Sequence, residues 1–332
     1  MHEDNYSRIT EVWLTGIEHL QNTKIFLFIF FLLIYLLIVT GNLLIISAIT
    51  SEHSLHSPMY VFLCNLSLSE VAFTTNLIPN FLHVLWEDGA AIYLSNCLLQ
   101  FYLCGSLGAT ECFLFASMSY DRYLAICKPL HYTSMMTFAF CWELALFSWV
   151  CAFTSMSITF IMVTQLQFCG PKIVDHFFCD FAPILKLSCS STDAVEIETF
   201  IYTGSVITFS FFFVIGTYVC IIITILKIPS STGRWKTFST CSSHLAAVCT
   251  YYGTLFSVYV VPTHNFSSTF KKTLSLIYTV VTPMFNPIIY SLRNQTIKTG
   301  VQKCLRRCLV RKEKRNFRQH HTLHCIAFLH MF

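Results

Sequence analysis

The segment Met118-Ser-Tyr-Asp-Arg-Tyr-Leu-Ala-Ile-Cys-Lys-Pro-Leu-His-Tyr132 ends a long apolar run with an adjacent carboxylate and guanidinium, Asp121 and Arg122. Such a pair has two interpretations. Either Arg122 extends to the lipid headgroups and anchors the end of a helix, or the pair is held inside the protein as part of a switch. Both require that the apolar run cross a membrane, and the rest of the chain supports this.

The composition is typical of a membrane protein. Of 332 residues, 55% are hydrophobic and only 11% are charged, whereas soluble domains carry roughly 25% charged residues. Runs of about 20 apolar residues, long enough to cross a hydrocarbon layer of roughly 30 Å, lie at 25–50, 58–82, 97–124, 138–163, 198–226, 237–262 and 272–292. The sixth run is the least apolar. The sequence predicts an all-α membrane protein, a bundle of seven transmembrane helices in one domain.

Basic residues predict the orientation of this bundle. With the amino terminus outside, 15 of the 21 Lys and Arg lie on the inner side, ten of them from Arg293 onward, and an excess of basic residues marks the cytoplasm. We therefore expect an extracellular segment 1–24, a membrane domain 25–292 and a cytoplasmic tail 293–332. No cleavable signal peptide is recognisable in residues 1–24, and the sequon at Asn5 is a predicted glycosylation site.

The tail is expected to begin with a short amphipathic helix on the inner leaflet. It is basic and contains Cys304 and Cys308, which are candidates for palmitoylation. Beyond about residue 310 the tail is rich in histidine, and we interpret it as an extension without a predicted role.

Four cysteines stand apart from the twelve others among the sixteen in the chain. Cys97 opens the third span, and Cys169, Cys179 and Cys189 lie in the long outer loop between the fourth and fifth spans. An outer loop faces an oxidising compartment, so two disulfides are expected, with three pairings open. The stretch His176-Phe-Phe-Cys179-Asp180 also carries donors for a soft metal. A metal there needs reduced Cys179, so the disulfide is favoured and no metal is predicted.

Polar residues also lie in the middle of the spans. Glu70 and Glu111 each need a partner, a proton or a cation there, and Asn42 and Asn286 lie at comparable depth. The four either form a polar core that holds sodium or water, or the two acids are protonated and hydrogen bond between helices. Pro287, next to Asn286, frees a backbone carbonyl and predicts a hinge near the inner face.

Five motifs occur in order along the chain. They are Gly41-Asn42; Leu55-His-Ser-Pro-Met-Tyr60 with Asn65-Leu-Ser-Leu-Ser-Glu70; Met118 to Tyr132; Lys236-Thr-Phe-Ser-Thr-Cys-Ser-Ser-His244-Leu followed by Tyr251-Tyr-Gly253; and Pro283 to Asn294. Together they resemble the odorant receptors, within the rhodopsin-like G-protein-coupled receptors, from Asn5 to about Lys303. The chain departs from that pattern in Glu70, where Asp is usual, in Trp235 within the inner loop, and in its longer tail.

The resemblance implies roles for particular residues. It implies the disulfides Cys97–Cys179 and Cys169–Cys189 and a sodium-like polar site at Glu70 and Glu111. The residues that it assigns to activation and G-protein coupling are Asp121, Arg122, Tyr123, Tyr218, His244, Asn286, Pro287 and Tyr290.

The resemblance also implies an odorant pocket between the outer halves of the third, fifth, sixth and seventh spans. Its side chains are mostly apolar with a few hydroxyls, which suits a small volatile molecule bound by shape and one hydrogen bond. The lining, hereafter the predicted pocket, is Cys104, Gly105, Gly108, Ala109, Tyr202, Val206, Ile207, Tyr252, Leu255, Phe256, Tyr259, Leu276 and Thr279.

The function implied is that of a plasma-membrane odorant receptor. Its expected partners are a small-molecule odorant, an olfactory-type stimulatory G protein that raises cyclic AMP, and the lipid bilayer, with no nucleic acid. No cofactor is expected apart from a sodium ion in the bundle. No coherent nucleophile–base set or phosphate loop predicts an enzyme. The alternatives are a chemosensor of the same fold outside the olfactory epithelium, and a transporter or channel that uses Glu70 and Glu111 as an ion path.

Overall fold

Nine helices account for most of the part of the chain that the computed structural model describes, which is residues 9–16, 23–259, 268–293 and 297–303. They are α1 (Lys24–Ser51), α2 (Pro58–Glu87), α3 (Leu94–Cys127), α4 (Pro129–Met135), α5 (Phe138–Thr164), α6 (Phe181–Leu185), α7 (Asp193–Leu226), α8 (Ser231–Tyr259) and α9 (Ser268–Arg293). Residues 297–303 are also helical. The seven long helices confirm the predicted all-α bundle. Asn5, the side chain of Tyr259, residues 294–296 and the tail from Cys304 onward, which includes Cys308, lie outside the described residues.

Hydropathy distinguishes one long helix from the other six. By length and composition, α1, α2, α3, α5, α7 and residues Lys272–Tyr290 of α9 are apolar enough to cross a membrane. The remaining long helix, α8, begins with a polar stretch, as expected of the least apolar run. The largest boundary difference is in α8, which begins at Ser231 rather than near residue 237. The helix α7 begins at Asp193 rather than near residue 198. Asp193 and Glu196 lie in its first turn, where carboxylates complement the positive end of the helix dipole.

Helix ends follow from local sequence. Pro58 and Pro129 occupy the first turn of α2 and α4, where the missing N–H has no intrahelical partner to lose. Thr137 caps α5, its hydroxyl accepting a hydrogen bond from the backbone N–H of Phe140 at 3.2 Å. At the outer end of α2, Asp88 adopts a left-handed conformation with φ of 55° and ends the helix.

The third long helix, α3, lies at the centre of the bundle. It contacts α2, α5, α7 and α8, and Leu114, Phe115 and Met118 on it are fully buried. Small residues bring neighbouring helices close elsewhere. A Cβ at Gly41 of α1 would lie 3.2 Å from Cβ of Pro287 in α9, so the glycine of the first motif permits this contact.

A small sheet covers part of the outer end, and hydropathy did not predict it. Its strands are β1 (Glu11–Leu14), β2 (Ala90–Tyr93) and β3 (Ile173–Val174), in the order β2-β1-β3. The central strand, β1, is antiparallel to β2 and parallel to β3. Part of the predicted extracellular segment is therefore built into the fold.

Two disulfides tie the long outer loop down. Cys97 is bonded to Cys179 with a Cα–Cα distance of 5.3 Å, and Cys169 is bonded to Cys189 at 5.7 Å. This is the pairing that the resemblance implied. Because the Cys179 sulfur is in a disulfide, it offers no thiolate, and the alternative of a soft-metal site at His176, Cys179 and Asp180 does not apply.

Substitution of Gly89 tests the attachment of the sheet. Gly89 has φ of +118°, and a Cβ there would lie 2.8 Å from the indole nitrogen of Trp13 in β1. We expect Gly89→Ala to lower the free energy of unfolding by about 1–3 kcal/mol, because the residue loses both its conformation and its space. Thermal unfolding of the full chain in lipid nanodiscs measures this loss.

The matched control is Gly204→Ala in α7, where nothing lies within 4 Å of the added Cβ. Alanine favours a helix over glycine, so this variant should unfold at the same or a higher temperature. Equal thermal stability of the two variants would contradict the packing described for Gly89.

Candidate functional site

The charge pair of the third helix is held inside the protein. Asp121 has no exposed surface. One carboxylate oxygen accepts hydrogen bonds from Nε of Arg122 at 2.8 Å and from its Nη2. The other accepts from the hydroxyl of Tyr132, on α4, at 2.9 Å. Since the Arg122 side chain is only 13% exposed, the guanidinium is paired within the bundle instead of extending to lipid.

Tyr132 keeps its proton in this position. Burial, and next the neighbouring Asp121 carboxylate, raise the pKa of its hydroxyl. The tyrosine is therefore a donor that ties the second inner loop to α3.

A second polar contact at the inner end joins α7 to α8. The hydroxyl of Tyr218 lies 2.7 Å from Nδ1 of His244, and both side chains are buried. Tyr290 of α9 is buried too, and its hydroxyl has no hydrogen-bond partner among the described residues. Tyr123 is partly buried and packs beside Tyr120, with ring centroids 6.4 Å apart.

The mid-span polar residues form one cluster. The side-chain amide of Asn286 donates to a carboxylate oxygen of Glu70, and Glu70 lies near enough to Glu111 for their charges to interact. Four buried oxygens of this cluster have no hydrogen-bond donor among the described residues: Asn42 Oδ1, Glu70 Oε2, Glu111 Oε1 and Asn286 Oδ1. They come from α1, α2, α3 and α9. Pro287, the predicted hinge, lies inside α9 beside this cluster.

Most of the predicted pocket lies inside the bundle. Ala109, Tyr252, Leu255 and Thr279 are buried. The partly buried members are Cys104, Gly105, Gly108, Tyr202, Val206, Ile207 and Leu276. Phe256 differs from them, because it is 61% exposed and the structure does not bring it into the buried set.

The two pocket glycines lie at helix contacts. A Cβ at Gly105 would lie 2.6 Å from Cε of Met156 in α5, and one at Gly108 would lie 3.3 Å from the hydroxyl of Tyr278 in α9. Gly105 therefore packs α3 against α5, while Gly108 faces α9. Tyr278, which sequence analysis did not single out, borders the predicted pocket.

Tyr251 is a further residue to which sequence analysis assigned no role. It is fully buried, and its hydroxyl donates to the backbone carbonyl of Gly108 at 2.7 Å and lies 3.2 Å from the sulfur of Cys112. Its ring centroid is 4.9 Å from that of Phe115. The only signal in the sequence was the motif Tyr251-Tyr-Gly253.

An open groove of about 470 Å³ lies at the outer end of α7, lined by Ala194, Ile197, Glu198, Ile201 and Tyr202. Of the predicted pocket it includes Tyr202 alone. The Glu198 carboxylate accepts a hydrogen bond from the hydroxyl of Thr159 at 2.8 Å, which attaches α7 to α5. The groove is therefore separate from most of the predicted pocket.

Comparison with known proteins decides the family. The family model described as "Olfactory receptor" matches residues 31–308. Human olfactory receptor 11L1 is 46% identical over 307 residues, which cover 92% of this chain and 95% of that protein. The chain belongs to the olfactory receptor family. Mouse olfactory receptor 5P55 is 42% identical over 305 residues, covering 92% of this receptor and 98% of its relative.

The fold of the receptor is similar to that of a solved structure. Squid rhodopsin superposes with a TM-score of 0.68 at 15% sequence identity, covering 83% of this chain and 78% of that chain. With this fold and with the olfactory receptor family established, the receptor is a multi-pass membrane protein with the seven-helix bundle of a G-protein-coupled receptor. Its family is one of receptors and not of enzymes.

His176, in the outer loop, is held as a neutral imidazole. It is buried between Phe177 and Phe178, with ring centroids 4.5 and 4.4 Å away. Its Nδ1 accepts a hydrogen bond from the backbone N–H of Phe178 at 3.4 Å. Burial lowers the pKa of His176 below its usual 6.5; Asp180 and Asp175 oppose this shift, and Lys272 adds to it.

The receptor should therefore lose stability in mild acid. The unfolded chain takes up a proton at His176 near pH 6.5, while the folded chain takes it up only at a lower pH, so stability falls as the pH drops below that value. We expect the unfolding temperature to fall more between pH 7.5 and 5.5 in the wild type than in His176→Gln, which keeps an acceptor. Equal pH dependence in the two proteins would contradict a neutral, buried His176.

Proposed function

We propose that the receptor binds a small, volatile, mostly apolar odorant in the outer half of the bundle and then activates an olfactory-type stimulatory G protein, which raises cyclic AMP. The plasma membrane is the proposed location. One observation carries the proposal: a continuous series of buried contacts runs from the predicted pocket to the inner end of the bundle.

This series begins at Gly108, whose carbonyl accepts the hydrogen bond from Tyr251. Tyr251 packs on Phe115, and the ring of Phe115 lies 6.0 Å from that of His244. His244 in turn is hydrogen bonded to Tyr218. A change at the level of Gly108 can reach the inner end through these contacts without passing through lipid or water.

A ligand changes the balance between helix arrangements only if it binds one of them better. We propose that the odorant favours the arrangement in which Tyr251 and α8 shift relative to α3. In the structure Arg122 is held by Asp121. We propose that activation separates this pair and makes the guanidinium available at the inner face, with Asn286 and Pro287 as the hinge of α9 and with Tyr123, Tyr218, His244 and Tyr290 around it.

The chemistry of the predicted pocket favours a neutral ligand. None of its members is Asp, Glu, Lys or Arg, and few can form a hydrogen bond. The hydroxyl of Thr279 already donates to the carbonyl of Leu276 at 3.0 Å. The buried hydroxyl of Tyr252 lies next to Ser210 without a hydrogen bond of normal geometry. We propose Tyr252 as the residue that hydrogen bonds to the odorant.

The inner surface offers an apolar contact for the G protein. Leu130, on α4, is 91% exposed and follows Lys128 and Pro129 in the second inner loop. Tyr132 links this short helix to Asp121. A change in the Asp121–Arg122 pair can therefore move the exposed leucine. We propose that α4 contacts the stimulatory G protein through Leu130.

The polar cluster around Glu70 and Glu111 contains the kind of oxygen ligands that sodium prefers. The four oxygens without hydrogen-bond donors are carboxylate and amide oxygens, which are hard ligands, and a monovalent cation would offset the charge of the two buried carboxylates. We propose that Glu70 and Glu111, with Asn42 and Asn286, hold a sodium ion. The alternative of two protonated acids gives a different dependence on salt.

Loss of the guanidinium tests the proposed function. In cells that carry a cyclic AMP reporter and an olfactory-type G protein, a panel of chemically diverse volatiles should identify an agonist for the wild type. We expect Arg122→Ala to abolish the response while the protein remains at the cell surface, because the group released at the inner face is gone.

Lys24→Ala provides the control, since it removes an ion pair with Asp88 at the outer end of the bundle. This variant should respond like the wild type. A normal agonist response from Arg122→Ala, with surface expression matched by antibody labelling, would refute the role of the charge pair.

Sodium should stabilise the receptor if the polar cluster binds it, since a ligand that binds only the folded state raises stability. We expect the unfolding temperature of the purified receptor to rise when sodium replaces choline at constant ionic strength. The rise should disappear in Glu111→Gln. If sodium raises the unfolding temperature equally in the wild type and in the variant, sodium binds elsewhere. If it raises neither unfolding temperature, the result favours the alternative of two protonated acids.

A further inference from the structure

The outer loop contains a segment that is attached at both of its ends, residues 175–179, hereafter the strap. At one end Cys179 is disulfide bonded to Cys97 of α3, and its backbone N–H donates to the side-chain oxygen of Gln100 at 2.9 Å. At the other end the carboxylate of Asp175 lies 2.5 Å from Nζ of Lys272 in α9. The strap therefore connects α3 to α9 at the outer end of the bundle.

The ammonium of Lys272 is fully occupied by this attachment. Besides the bond to Asp175, Nζ donates to the hydroxyl of Thr15 at 3.2 Å and to the carbonyl of Gly16 at 2.9 Å. Thr15 in turn donates to Asp175 at 3.1 Å. An ammonium group has three donors, and here each has an acceptor. The amino-terminal segment thus completes the site that buries Lys272.

Between its ends the strap is aromatic and points into the protein. Phe177 and Phe178 are buried, and the ring of Phe177 lies 4.9 Å from that of Phe81 in α2, edge to face. The ring of His176 packs on both phenylalanines. The strap therefore covers the bundle with apolar side chains.

Lys272 is also in register with the predicted pocket. Leu276 and Thr279 follow it by four and seven residues in α9, which places the three on one face of the helix. The contacts that hold Lys272 therefore fix the outer turn of α9, on the helix face that carries Leu276 and Thr279.

The two attachments of the strap differ in how they can open. The disulfide is covalent and stable in an oxidising compartment. The ion pair is reversible. The side chain of Asp175 is 51% exposed and that of Lys272 only 7%, so water can solvate the carboxylate readily once the pair separates.

We propose that the contact of Lys272 with Asp175, Thr15 and Gly16 is the releasable end of the strap, and that its opening admits ligands to the predicted pocket. Lys272 is then a positioning residue, which acts through the strap and does not touch the ligand. The inference rests on the proposed function for the place of the pocket. It does not depend on the G protein.

The test uses the full-length receptor in lipid nanodiscs and needs no agonist. Methyl methanethiosulfonate, a small neutral thiol reagent, probes access to Cys104 in the predicted pocket, and peptide mass spectrometry measures the rate. Hydrogen exchange of residues 9–16 and 172–176 reports the strap and β1 directly. For Lys272→Gln we expect both rates to rise about tenfold, because several hydrogen bonds to a charged group are lost.

Three further variants make the result specific. Lys272→Arg keeps the charge and should restore most of the protection. Asp175→Asn removes the same ion pair by changing its more exposed partner, and it should raise both rates as Lys272→Gln does. It provides the test if Lys272→Gln folds poorly. Lys24→Gln breaks the other outer ion pair, between Lys24 and Asp88, and should change neither rate. Cys127, at the inner end of α3, provides the internal reference for labelling.

Two results would overturn the proposal. Unchanged hydrogen exchange in both Lys272→Gln and Asp175→Asn would mean that the contact does not hold the strap. Faster exchange with unchanged labelling of Cys104 would mean that the strap does not close the route to the predicted pocket. Neither measurement uses cyclic AMP, so a failure of the proposed signalling leaves both readouts intact.

Discussion

Hydrocarbon offers no hydrogen bonds, so a polar group that a span buries must find its partner within the protein, in its own helix or on another element. This constraint organises the receptor. Arg122 and Tyr132 share Asp121, Asn286 donates to Glu70, and Tyr218 bonds to His244. Each of these bonds except Arg122–Asp121 joins separate elements, so the polar residues fix how the helices sit on one another. Where buried oxygens lack donors, at the cluster around Glu70 and Glu111, the same constraint points to a bound ion or to protonation.

The central helix α3 connects the two ends of the molecule. Its outer end is covalently attached to the long loop through Cys97, and its inner end carries the Asp121–Arg122 pair. Between them, Gly108 accepts the hydrogen bond of Tyr251. One helix thus contributes to the proposed ligand site, to its cover and to the proposed switch. Because a helix moves largely as a unit, displacement at one level is felt at the others, and this makes a ligand-dependent change in population physically reasonable.

The outer end is held together by contacts of a different kind. There the chain can reach water, and strands, disulfides and an ion pair replace the interhelical bonds of the interior. Residues 9–16 take part in this cover through β1, Thr15 and Gly16. The attachment at Cys179 is covalent and the one at Lys272 is ionic, so only the second is reversible in an oxidising compartment.

The sequence by itself determined the class of fold, the approximate bounds of the helices and the family. The length of each apolar run matches the thickness of a bilayer. Short motifs mark positions of close packing, as at Gly41 against Pro287. Only the tertiary structure decided which residues meet across long separations. Strands of two and four residues are too short to show a period, so β1 and β3 could not be predicted. The exposure of Phe256, the burial of Tyr251 and the convergence of Lys272, Asp175 and Thr15 depend on how helices rotate and loops fold back, and no local pattern encodes these.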